Sequence, residues 1–173
     1  IKPENIFLCN MDGEVFVKLL DFGIAKAHAL AGNFSATRTG AFLGTAYYMS
    51  PEQTMGAKNI DHRSDLWSLA VVSYEALTGV RPFESDAIGA LVAAITSLPI
   101  APPSSHRPEL GVAIDAWMAR ALARDPSQRF ATAREMSEAF SRAVQYDGAR
   151  PGPSLLPSSL ATRGPGELAP KIQ

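Results

Sequence analysis

Lys2-Pro3-Glu4-Asn5 stands almost at the start of the chain, and Leu20-Asp21-Phe22-Gly23 follows after a short apolar stretch. Between them Ile6, Phe7 and Leu8 read as one short strand and Met11-Asp12-Gly13 as a turn. Val15 to Leu19 then alternate apolar and polar residues on the return. A hairpin of this kind brings Asn5 and Asp21, each at the end of a strand, side by side. An amide oxygen and a carboxylate oxygen are hard ligands suited to a divalent cation. Lys2 adds a compact ammonium charge, and Gly23 leaves the backbone after Asp21 free to turn. Taken singly each piece has a plainer reading: Asp-Phe-Gly as a turn after a strand, Asn5 as a loop residue. Their order and spacing across a hairpin are what carry the signal.

Outward from the hairpin, residues 24 to 50 hold small and hydroxyl residues without lasting periodicity. A loop of that length in a compact domain is usually functional. From Asp61 the pattern turns helical. Ser64 is placed to cap a helix whose Leu66, Leu69, Ala70, Ser73 and Leu77 share one face, with Trp67, Val71 and Tyr74 on the next. Two apolar faces predict a central, buried helix. Gly79 ends it and Pro82 prevents continuation. Further helices are expected over about 86–98, 112–123 and 132–144. Residues 101–105, Ala-Pro-Pro-Ser-Ser, read as an extended connector between the first two of these. From Asp147 onward Pro and Gly recur and aromatic residues vanish, which predicts a disordered tail over 147–173.

Composition narrows the classes. The chain has 173 residues, 46% of them hydrophobic and 19% charged, as in ordinary globular proteins. Sixteen basic residues against 17 acidic ones, net charge −1, give no reason to expect nucleic acid or an acidic membrane surface as a partner. The single cysteine, Cys9, cannot form an internal disulfide, and its apolar neighbours favour a small buried hydrophobe. His28, His62 and His106 are too dispersed for a zinc site. No stretch approaches the roughly 20 apolar residues that span a bilayer. The expectation is a cytoplasmic segment, with any membrane anchor of a parent protein lying beyond the tail. A first residue other than Met, inside a motif, implies missing upstream sequence.

Further motifs then fall into line: Gly44-Thr45-Ala46-Tyr47-Tyr48-Met49-Ser50-Pro51-Glu52-Gln53, Arg63-Ser64-Asp65-Leu66-Trp67-Ser68-Leu69, Thr78-Gly79-Val80-Arg81-Pro82-Phe83 and Asp125-Pro126-Ser127-Gln128-Arg129-Phe130. With Lys2–Asn5 and Leu20–Lys26 they resemble the C-terminal lobe of a bacterial, eukaryotic-like serine/threonine protein kinase over about residues 1–144. The implied fold is α+β and protein-kinase-like: a mainly helical C-lobe with a small β-hairpin and no N-lobe. The domain would cover 1–146.

The resemblance assigns roles residue by residue. Asn5 and Asp21 would ligate Mg²⁺ (or Mn²⁺) and Lys2 would contact the γ-phosphate of ATP. Thr45 would sit near the substrate hydroxyl. Glu52 and Arg129 would form a buried ion pair fixing the substrate-side loop. Asp65 would accept hydrogen bonds from the backbone of the catalytic loop. Thr37 and Thr39, with Ser35 behind them, stand where bacterial relatives carry activating phosphates. Protein substrates are implied as partners, with a kinase dimer partner allowed.

Some of the pattern is absent. Ser50 replaces the commoner Ala, and Ala70 a Gly of the central helix. The proton-accepting Asp would lie before Ile1, and the Gly-rich loop, the strand Lys and the partnering helix Glu are missing. The expectation is a kinase fragment inactive by itself. The alternative is a non-catalytic interaction module that uses the kinase-like surface.

Overall fold

The computed structural model describes residues 1–11, 13–20 and 44–147. Strands β1 (Ile6–Met11) and β2 (Glu14–Leu19) pair antiparallel, with Ile6 opposite Leu19 and Met11 opposite Glu14. β1 therefore runs further than its apolar start implies. The connection is shorter than the three residues expected, because Gly13 adopts φ +86°, open to glycine without strain. The Asn10 side-chain oxygen accepts the Gly13 N–H at 3.1 Å and closes the turn. Phe7, Leu8, Val15, Phe16 and Val17 remain exposed on the two faces of this hairpin. Cys9, expected in a core, is only partly buried there.

The remainder is helical. Among the described residues the bounded α-helices are α1 (Pro51–Thr54), α2 (Arg63–Thr78), α3 (Ile88–Ser97), α4 (Pro103–His106), α5 (Gly111–Ala121) and α6 (Ala133–Asp147). α2 is the buried axis that its two apolar faces predict: Trp67, Ala70, Val71 and Tyr74 are 0–1% exposed. Around it pack Leu91 and Ile95 of α3, Ile114, Trp117 and Met118 of α5, and Phe130. Trp67 stacks on Phe83 with ring centroids 5.7 Å apart. Trp117 meets Phe140 edge-on at 4.9 Å and gives its indole N–H to the Met136 carbonyl at 3.0 Å. α2 ends at Gly79, whose φ of +78° and N–H bond to the Glu75 carbonyl form a left-handed cap.

Two local expectations change. Ser64 does not cap α2: the helix starts at Arg63 without a side-chain cap, and the Ser64 hydroxyl is taken by Glu52 instead. The connector at 101–105 is not wholly extended, since α4 begins at Pro103. Proline at a first helical position loses no hydrogen bond and brings a helix-ready φ. Its Ser104 N–H and hydroxyl bond both carboxylate oxygens of Asp115, at 2.9 and 2.5 Å. Asp21, the 24–43 part of the expected loop with Ser35, Thr37 and Thr39, and the tail from 148 lie outside the described residues.

Candidate active site

The site begins where the hairpin closes. Pro3–Asn5 form a single 3-10 turn whose first position is a proline, and the Asn5 N–H bonds the Lys2 carbonyl at 3.0 Å. The Asn5 carbonyl then accepts the Leu20 N–H at 2.8 Å, extending the ladder by one pair beyond Ile6 and Leu19. Asn5 is thereby set directly across from the residue that precedes Asp21 in sequence. Lys2 and Asn5 are both half-buried. A magnesium ion keeps several waters and takes only one or two protein oxygens. One amide oxygen here, with the Asp21 carboxylate next along the chain, is a donor set of the right hardness.

The second part of the site is the segment leading into α1. Ala46, Tyr47, Tyr48 and Ser50 are all buried. Ser50 builds a capping box: its hydroxyl accepts the Gln53 N–H at 3.3 Å while the Gln53 side chain accepts the Ser50 N–H at 3.0 Å. The segment is tied to α2 twice. The Ser68 hydroxyl donates to the Tyr48 carbonyl at 2.7 Å, and the Tyr48 phenol donates to Glu75 Oε2 at 2.7 Å. Burial, and then the Glu75 carboxylate, push the Tyr48 phenol well above its ordinary value, so it stays a donor at any working pH. Tyr47 reaches the other way and donates to the Ser85 carbonyl at 3.1 Å. The Arg81 guanidinium covers its ring at 3.8 Å. Thr45, Ala46 and the two tyrosines thus form a fixed shelf.

Glu52 and Arg129 meet beneath that shelf. Arg129 Nη1 lies 2.7 Å from Glu52 Oε1 and Nη2 2.8 Å from Oε2, a two-pronged pair. The Arg129 side chain is 0% exposed and that of Glu52 11%. Charges this deep require further partners. Arg129 also donates to the carbonyls of Ala123 (2.7 Å), Arg63 (3.1 Å) and Arg124 (3.0 Å), and lies over the Trp67 ring at 4.9 Å. The Ser64 hydroxyl donates to Glu52 Oε1 at 2.5 Å. Burial alone would raise the Glu52 carboxyl. The hydrogen bonds from Arg129 and Ser64 outweigh it and hold the group at about 2. The consequence is that α1, α2 and the turn before α6 are locked at one point.

Not every residue singled out in the sequence joins this arrangement. Asp65 is exposed in the first turn of α2, where the helix dipole favours an acid, and no hydrogen bond links it to Lys2–Asn5 among the described residues. His62 bonds the Ala131 carbonyl at 2.8 Å and His106 sits edge-on to Tyr74. Among the described residues no cluster of three His, Cys, Asp or Glu could hold a metal. No helix among the described residues is long and apolar enough to cross a membrane. A cavity of about 270 Å³ is lined by residues between Ile100 and Arg124, none of them a residue of the site. Glu75 and Ser85 went unnoticed in the sequence, and Ser68 was given no role within its motif. The one signal was Tyr47-Tyr48, since buried phenols need partners.

Comparison with known proteins identifies the family. Residues 1–141 match the protein kinase domain family. The chain is 36% identical over 173 residues to serine/threonine-protein kinase Pkn1 of Myxococcus xanthus, covering 99% of this chain and 24% of that protein. It is 44% identical over 137 residues to serine/threonine-protein kinase PknB of Mycobacterium tuberculosis, covering 79% of this chain and 21% of that one. Against serine/threonine-protein kinase pkn3 of Myxococcus xanthus the figures are 43% over 150 residues, 84% and 26%. The chain spans about a quarter of the length of these relatives.

Proposed function

The chain belongs to the protein kinase family, and from that premise we propose that the polypeptide carrying it transfers the γ-phosphate of ATP to serine or threonine hydroxyls of proteins. The observation that carries the reading is the 2.8 Å bond from Leu20 to Asn5, which closes the hairpin at the ends bearing the two metal-ligand residue types. In this reading Asn5 and Asp21 hold Mg²⁺ (or Mn²⁺), which when bound neutralises charge developing on the transferred phosphoryl group. Lys2 adds its ammonium charge to the same region. Thr45, on the shelf, orients the acceptor hydroxyl, and Glu52 with Arg129 keeps the shelf from shifting. Thr37 and Thr39 take regulatory phosphates in this reading.

Transfer also needs a proton acceptor and groups that grip the α- and β-phosphates. No residue of 1–173 is assigned either task, so the segment by itself is proposed to be inactive. The interaction-module alternative gives Asn5 and Asp21 nothing to do. The test is calorimetric titration of ATP into the full-length polypeptide, with and without Mg²⁺, for the wild type and Asn5→Ala. The reading expects Mg²⁺ to tighten binding in the wild type and to do so far less in the variant. Equal metal dependence in both would remove Asn5 from the site.

A further inference from the structure

α3 stops ahead of Pro99, but without a capping residue of its own. No basic residue lies in its last turn, and its final residue passes into Leu98 in extended conformation with no glycine cap. The carbonyls left open at a helix C-terminus need donors, and here they come from a remote residue. Arg124 Nε donates to the Ile95 carbonyl at 3.1 Å, and Nη2 to the carbonyls of Ala94, at 3.4 Å, and Leu98. The rigid guanidinium fork suits this task, as a lysine ammonium would not.

The backbone at the same residue does a second thing. Arg129, while paired to Glu52, donates to the Arg124 carbonyl at 3.0 Å and to the Ala123 carbonyl at 2.7 Å. Arg124 is therefore held by its main chain to the Glu52–Arg129 pair and holds α3 by its side chain. At the other end of α3, the Ser85 hydroxyl accepts the Ala87 N–H at 3.2 Å just ahead of the helix, and the Ser85 carbonyl accepts the Tyr47 phenol at 3.1 Å. Both ends of α3 are thus tied to the segment 45–54, one through Tyr47 and one through two arginines in series.

We propose that Arg124 is a positioning residue: it fixes α3 to the shelf formed by residues 45–54, so that shelf and helix present one surface to a protein substrate. This rests on the kinase reading above, and it concerns binding of the peptide, not transfer. Among the described residues the Arg124 side chain bonds only backbone carbonyls at the end of α3, and none of Lys2–Asn5. Its loss should therefore weaken peptide binding while leaving ATP handling alone.

The experiment compares wild type, Arg124→Ala and Arg124→Lys in the full-length polypeptide. Two readouts are taken: hydrogen exchange of the amides in α1 and in the last turn of α3, and steady-state kinetics against a serine-containing peptide and ATP. In Arg124→Ala exchange should quicken in both places together. The peptide KM should rise about fivefold to tenfold, the scale of losing one ordinary net hydrogen bond. kcat and the KM for ATP should stay within about twofold. Arg124→Lys, which keeps the charge but not the fork, should fall between. Faster exchange confined to α3, with peptide KM unchanged, would reduce Arg124 to a helix cap and overturn the proposal. If Arg124→Ala does not fold, the lysine variant carries the same comparison. A wild type that transfers no phosphate would sink the kinase reading, and the exchange pattern alone would then decide the coupling.

Discussion

Replacing Glu52 with glutamine keeps the shape of the side chain and removes its charge. The Arg129 guanidinium, with its side chain 0% exposed, would then stay buried with only carbonyls for company. Breaking one side of such a pair costs about 3–5 kcal/mol. The pH dependence sharpens the test. The folded state holds the Glu52 carboxyl at about 2, against an ordinary 4.5. A depressed carboxyl contributes stability that is fully present above its unfolded value and lost as pH falls towards its folded one. At about 1.4 kcal/mol per pH unit, Glu52 contributes about 3 kcal/mol of proton-linked stability at pH 7, of which about 2 kcal/mol is gone by pH 3. Urea unfolding of the full-length polypeptide, followed through Trp67 and Trp117, would be measured for wild type and Glu52→Gln at pH 7 and pH 3. The gap between them should exceed 3 kcal/mol at pH 7 and narrow by about 2 kcal/mol at pH 3. A gap below about 1 kcal/mol, or one that does not change with pH, would refute the claim that a charged Glu52 is locked to Arg129.

Two smaller perturbations probe the same frame. Ser64→Ala removes the hydroxyl that donates to Glu52 Oε1. It should cost about 1.5–3 kcal/mol, as for hydrogen bonds to charged groups, and should move the acid transition of the urea series to higher pH. Gly79→Ala meets no neighbour within 4 Å, so any loss must come from forcing φ of +78° on an L side chain. About 1–2 kcal/mol in thermal unfolding is expected, and no loss would show that the left-handed cap is dispensable.

What the sequence made legible were features written into neighbouring residues. The alternation in β2, the paired apolar faces of α2 and the glycine at its end each belong to a single local period. What stayed hidden depended on partners far along the chain. Ser64 has the composition of a cap, yet Glu52, 12 residues away, takes its hydroxyl. Arg124 looks like a surface charge beside Asp125, and only the folded chain shows it reaching the end of α3, 26–30 residues earlier. α4 was obscured because Pro102-Pro103 serves an extended chain and a helix start equally well. Of the candidate site, the Glu52–Arg129 contact was legible through motif resemblance. Glu75 carries no motif, and although Ser68 stands in the Arg63–Leu69 motif, the bonds by which both hold Tyr48 emerge only from geometry.

The most direct test of the central claim is transfer itself. The full-length polypeptide would be incubated with γ-labelled ATP, Mg²⁺ and a mixed protein acceptor, and the labelled amino acids identified after hydrolysis. The account predicts Mg²⁺-dependent label on phosphoserine and phosphothreonine, and its near disappearance in Asn5→Ala. Label on tyrosine alone, or label indifferent to Mg²⁺ and to Asn5, would contradict it.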